Sequence, residues 1–71
     1  MMITGELRNW KWDKNHSIIW GHVYNDARKR FPDGTWIHTS WIDKAQFANV
    51  KEGDTVKTLN SEYLLRNKAD V

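Results

Sequence analysis

With 71 residues the chain has room for one hydrophobic core, so a single domain spanning 1–71 is expected. The absence of cysteine excludes disulfides, thiolate metal sites and cysteine nucleophiles, and it fits a reducing cytoplasm. Eleven Lys and Arg against nine Asp and Glu leave a net charge of +2 with signs alternating along the chain, which is a weak signal for a polyanionic partner.

The stretch Ile3–Trp12 alternates loosely, with Trp10 and Trp12 on one face, and reads as a first strand. Asp13-Lys14-Asn15 supplies turn chemistry. From His16 to Tyr24 the residues are β-branched and aromatic, with Ile18, Trp20, His22 and Tyr24 on one face and Ile19, Gly21 and Val23 on the other, which predicts a second strand. Gly21 within it points to a bend, a bulge or a close backbone approach. The basic segment 25–31 leads into Pro32-Asp33-Gly34, where the chain reverses into a strand over Thr35–Ile42 that pairs with the residues before Pro32. Asp43 suits an N-cap for a helix of about two turns through Asn49, which is able to close it. A turn over Val50–Asp54 precedes a strand at Thr55–Leu59. Asn60-Ser61 then separates that strand from Glu62–Arg66 in a terminal hairpin, with Tyr63, Leu64 and Leu65 closing the barrel and a frayed tail after Asn67. Five to six short strands with one short helix predict a mainly all-β domain, a small antiparallel barrel or sandwich.

Five Trp are many for so short a chain. Trp10, Trp12, Trp20 and Trp41 are expected in the core or in a subunit interface, because large aromatics dominate both. A domain this small buries only about 60% of its unfolded surface, so a homo-oligomer is the expected source of further stability. No segment approaches the ~20 apolar residues of a membrane span, and no basic region followed by an apolar run opens the chain, so a cytoplasmic protein without membrane contact is expected.

The residues that carry chemistry point to binding more than to catalysis. His16, His22 and His38 lack the spacing of a metal site, since His16 and His22 lie roughly 20 Å apart on an extended strand. Ser17, Ser40 and Ser61 lack the glycine elbow of a serine nucleophile. Asp26, Asp33, Asp43 and Asp54 fall at turns, where aspartate accepts backbone N–H groups. There is no glycine-rich phosphate loop or dinucleotide fingerprint, and no cofactor is expected. The remaining constellation joins Arg28, Lys29 and Arg30 to Trp36, His38 and Ser40 on one face of the following strand. Arginine takes phosphate through two parallel hydrogen bonds, and aromatic rings stack on bases. In this reading Arg28 and Arg30 hold phosphate, Trp36 or Tyr24 stacks the base, and His38, Thr39 and Ser40 bond ribose or phosphate oxygens. Asn60 and Ser61 approach from the hairpin. The alternative for the same residues is a charge-blunted strand edge with Trp36 in the core.

The stretch Gly21-His22-Val23-Tyr24-Asn25-Asp26, continuing through Arg30-Phe31-Pro32-Asp33-Gly34-Thr35 to His38-Thr39-Ser40, resembles a pattern in small phage- and prophage-encoded β proteins. Gly53-Asp54-Thr55-Val56-Lys57-Thr58 and Asn60-Ser61-Glu62-Tyr63-Leu64-Leu65 resemble the closing hairpin of the same group. The likeness spans about two-thirds of the chain and leaves out the N-terminal strand. It implies an accessory protein of the anti-defence kind, one that sequesters a nucleotide immune signal such as a cyclic nucleotide or an ADP-ribose derivative without cleaving it. No catalytic motif comes with the resemblance. A nucleic-acid-binding barrel, a protein–protein inhibitor of a host enzyme and, fourth, a phosphodiesterase acting on a nucleotide signal are the competing expectations.

Overall fold

A computed structural model describes residues 3–69, the Asn49 side chain excepted. Its strands are β1 (Gly5–Asp13), β2 (Ile18–Tyr24), β3 (Thr35–His38), β4 (Thr55–Lys57) and β5 (Glu62–Leu65), with a 3₁₀ turn over Lys44–Asn49 between β3 and β4. They form one sheet in the order β3-β2-β1-β5-β4. The mainly β class holds. The sheet is open, however, because its edge strands β3 and β4 lie at opposite ends of that order and do not meet. Nor is it antiparallel throughout: β1 and β5 run parallel, with Gly5 opposite Tyr63 and Leu7 opposite Leu65. Tyr63 and Leu65 therefore fill the core from a strand interior, and no barrel seam exists for them to close.

The core lies on one face of the sheet. Leu7, Trp10, Ile19, Val23, Tyr63 and Leu65 point to it, and Ile42, Phe47 and Val50, from the segment after β3, pack over them. The 3₁₀ turn anchors that cover. Asp43 caps it by accepting the Ala45 N–H at 3.0 Å, and the Val50 N–H closes it on the Phe47 carbonyl; the closing role expected of Asn49's side chain lies outside the described residues. Gln46 reaches from the turn to β4, donating to the Lys57 carbonyl at 2.9 Å and accepting the Lys57 N–H at 3.0 Å. Its amide thus saturates part of an edge strand that would otherwise present unpaired groups.

β1 carries the main irregularity. Asn9 adopts φ 56°, a left-handed conformation that Asn tolerates better than most residues. The β1–β2 register shifts between Arg8 and Lys11. This bulge resets the alternation, so that Leu7 and Trp10 both enter the core while Arg8 and Lys11 both stay on the other face. Trp10 is then enclosed from the C-terminal side. Its indole N–H donates to the Arg66 carbonyl at 2.8 Å, its backbone N–H to Asn67 at 3.3 Å, and its carbonyl accepts the Ala69 N–H at 2.7 Å. The tail expected to fray after Asn67 is docked on β1 as far as Ala69, and Asp70 and Val71 lie outside the described residues.

Three strands are shorter than their hydrophobic patterns suggest, and each is ended by a side chain. Asp13 accepts the N–H groups of Asn15 and His16, which holds His16 in the turn and starts β2 at Ile18. The Thr39 hydroxyl accepts the Ile19 N–H at 3.1 Å in place of a backbone carbonyl, and the ladder of β3 stops. Thr58 accepts the Asn60 and Ser61 N–H groups through its hydroxyl and folds the last hairpin back after Lys57.

The bulge also explains Gly21. A Cβ there would lie 3.2 Å from the Cβ of Trp10 and 3.3 Å from the Arg8 carbonyl oxygen, so a side chain would push the two strands apart at the bulge. Gly21→Ala is expected to lower unfolding free energy by about 1–3 kcal/mol, as overpacking of tight contacts does. Urea denaturation checks this; an unchanged midpoint would mean that the approach is looser than described.

Candidate functional site

The expected site residues divide into three groups, because the fold carries the basic loop and the aromatic strand to different places. Arg30 is structural. Its guanidinium donates to both oxygens of Asp26, at 3.2 and 3.3 Å, and to the Tyr63 hydroxyl at 3.2 Å. Asp26 also accepts the backbone N–H groups of Arg28 and Arg30. The loop between β2 and β3 is thus wound around one buried carboxylate. Burial alone would raise the pKa of Asp26, but the hydrogen bonds from Arg30 and Arg28 and the charge of Arg30 outweigh it and hold the carboxyl below its ordinary value. Asp33, Asp43 and Asp54 likewise accept the N–H groups of Asn25, Ala45 and Lys51, as their turn positions imply. Thr39 is buried and committed to Ile19, and Ser40 is half-buried beside it.

The second group forms an aromatic platform on the sheet face opposite the core. In the β2–β3 register Trp20 faces His38 and His22 faces Trp36, which puts the two indoles on one diagonal and the two imidazoles on the other. Trp20 and Trp36 lie nearly parallel, with centroids 6.0 Å apart and planes at 17°. His38 packs against Trp20 and His22 against Trp36, each pair at 4.9 Å. Trp36 is 44% exposed. It therefore is not a core residue, and Trp41, 51% exposed, also stands outside the core, which of the two places expected for it leaves the subunit interface. The imidazole Nδ1 atoms lie 2.9 Å from the carbonyl oxygens of Gly34 and Thr39. A carbonyl only accepts, so each Nδ1 carries the proton, and Nε2 is an acceptor whenever the ring is neutral.

β1 edges this platform with charge. Arg8 stacks 4.0 Å above the Tyr24 ring, and the Lys11 ammonium lies 6.0 Å from the Trp36 centroid. Asp13 accepts the Trp20 indole N–H at 3.2 Å, which fixes that ring, and Asp13 joins Lys11, Lys14, Asn15, Trp20 and Trp36 around an open groove of about 660 Å³. The flatness and exposure of these groups permit stacking of a planar ligand with cations at its margin.

The third group sits at the other end of β1. Arg28 donates to the Asn60 carbonyl at 2.7 Å, tying the basic loop to the last hairpin. Arg28, Lys57, Asn60, Ser61 and Glu62 surround a smaller polar recess of about 350 Å³. Arg28, Asn60 and Ser61 thus meet one another, as expected, but not Trp36 and His38. Sequence reasoning missed Trp20, His22, Lys11 and Arg8 as partners of Trp36. The strand alternation already placed Trp20, His22 and Tyr24 on one face; what it lacked was the register that set β3 beside them. Among the described residues no group of three or more His, Asp or Glu is placed to hold a metal ion, and no helix is long and apolar enough to cross a membrane. No protein-family model, curated protein or solved structure matches the chain.

The Asp26 hub gives a direct test by pH. Because the folded pKa of Asp26 is lowered, its contribution to stability is complete above the ordinary carboxylate value of about 3.9 and is lost as pH falls through the lowered folded value. Asp26→Asn is expected to lower Tm at neutral pH and to flatten the decline of Tm below about pH 4. An acid limb as steep as that of the parent protein would assign the pH dependence to other carboxylates.

Proposed function

We propose that this chain is a binding protein for nucleotide-type ligands, with the open aromatic face as its recognition surface and the ligand held without cleavage. The observation that carries this reading is the pairing of exposed Trp36 with Trp20 in nearly parallel planes beside Lys11. A base laid on such a ring gains about 1–3 kcal/mol, and the adjacent ammonium suits its phosphate. In their neutral form the imidazoles of His22 and His38 add Nε2 acceptors for exocyclic amines.

The ligand classes proposed are cyclic nucleotides and ADP-ribose derivatives, in keeping with the resemblance to small phage proteins of the anti-defence kind, acting in the host cytoplasm. The groove is open, whereas small-molecule sites bury about 70–90% of their ligand. Sequestration therefore calls for a second copy of the chain lying over the same face, which is also the oligomer that so small a core favours. One observation supports a second reading, a single strand of nucleic acid in place of a small nucleotide. Arg8 and Lys11 follow β1 and Lys14 continues into the next loop, forming a basic margin along which a backbone runs.

Trp36→Ala is expected to weaken binding by about tenfold or more, measured by calorimetry against cyclic dinucleotides, ADP-ribose and a short oligonucleotide. Native mass spectrometry then reports the oligomer, and the recovered ligand is expected intact. A steep loss of affinity between 50 and 200 mM salt, on the order of 10-fold per two neutralised phosphates or more, selects the strand reading. Wild-type affinity in the variant overturns both.

A further inference from the structure

Glu62 lies on β5 directly opposite Lys57 of β4, and it lines the recess at the end of the sheet away from the aromatic platform. The residue is only 7% exposed. Its backbone is fully engaged, the N–H donating to the Thr4 hydroxyl at 3.1 Å and the carbonyl accepting the Thr4 N–H at 2.7 Å. Its carboxylate has no such partner. Among the described residues no hydrogen bond reaches it and no cation comes within ion-pairing distance, although Lys57 is its cross-strand neighbour and Arg28 turns to the Asn60 carbonyl instead. Among the described residues no side-chain oxygen or nitrogen that is fully shielded from solvent lacks a partner, so the Glu62 carboxylate keeps some contact with solvent. On a residue so little exposed only a few waters reach that carboxylate, and a ligand with N–H donors of its own can take their place.

We infer that the Glu62 recess is a second binding site, one that reads the hydrogen-bond-donating edge of a guanine base. This rests on the nucleotide reading for the class of ligand; the choice of base comes from the recess alone. A carboxylate offers two acceptors side by side and therefore selects a ligand with two adjacent N–H groups. Guanine places N1–H beside the N2 amino group. Adenine and cytosine each set a ring acceptor next to their amino group, which a carboxylate repels, and uracil flanks its single N–H with carbonyl oxygens. Ser61 and Thr4 put hydroxyls at the margin, and Arg28 and Lys57 put positive charge where a phosphate joined to that base lies. Arg28 is positioned for this by its bond to Asn60, which uses one Nη2 hydrogen and leaves the rest of the guanidinium fork free for oxygen acceptors.

The test is a set of ¹⁵N–¹H correlation spectra of the intact chain titrated with guanosine, inosine and adenosine monophosphates. Inosine keeps N1–H and lacks the N2 amine. Guanosine monophosphate is expected to shift the amides of Thr4, Ser61 and Glu62, with inosine monophosphate weaker by about tenfold and adenosine monophosphate without effect there. Glu62→Gln is expected to abolish the preference while the spectrum keeps its dispersion. Equal response to the adenine and guanine nucleotides, or no response of the hairpin to any of them, overturns the inference; the three-ligand comparison decides even where the variant fails to fold. The platform reports separately through the Trp36 indole N–H. Hairpin shifts with a silent Trp36 sink the stacking reading and leave this site standing, and shifts at Trp36 with a silent hairpin do the reverse.

Discussion

The one-residue bulge at Asn9 in β1 governs how this small sheet acquires two different faces. Without the register shift, Trp10 would alternate to the face that carries Arg8, and the core would lose its largest side chain. With it, Trp10 faces inward beside Leu7, and the backbone at 66–69 closes over its indole. Gly21 follows from the same event, since the displaced chain leaves no room for a side chain on β2. So does the exposed row of Arg8 and Lys11, which the shift keeps on the side where Trp20 and Trp36 stand.

Much of this was legible in the residues. Alternation along Ile18–Tyr24 separated the buried and open faces of β2 correctly, the four turn aspartates took the roles their positions imply, and of the bend, bulge or close approach that Gly21 implies within a strand, the close approach is the one found. The misreadings have a common cause. Which strands lie side by side depends on contacts between residues far apart in sequence, and neither the parallel pairing of β1 with β5 nor the diagonal of Trp20 and Trp36 leaves a local trace. Local pattern also overextended β3 and β4, because Thr39 and Thr58 look like good strand residues until their hydroxyls replace backbone partners. Arg28 and Arg30, two residues apart and alike in chemistry, have opposite uses for the same reason. One is bound to a buried aspartate, and the other reaches a hairpin more than thirty positions away.

The division of labour between the faces is economical for a chain of 71 residues. One face, covered by the segment after β3, holds the core; the other carries aromatic and basic groups that no layer among the described residues covers. A closed barrel would have consumed both margins of the sheet in pairing. The open sheet instead keeps its aromatic and basic groups on a surface where several side chains are fixed by second contacts, Trp20 by Asp13 and the two histidines by backbone carbonyls.

The parallel union of the first and last strands also constrains how the molecule is made. Thr4 and Glu62 are 58 positions apart. At about 5–20 residues per second, a ribosome leaves on the order of 3–12 s between the emergence of β1 and that of its second neighbour. During that interval a nascent β1–β2–β3 meander has Leu7 and Trp10 unsealed and one flank of β1 without hydrogen-bond partners. The polypeptide is thus most adhesive while it is being synthesised, and arrival of β4 and β5 converts a sticky half-sheet into the full five-stranded one.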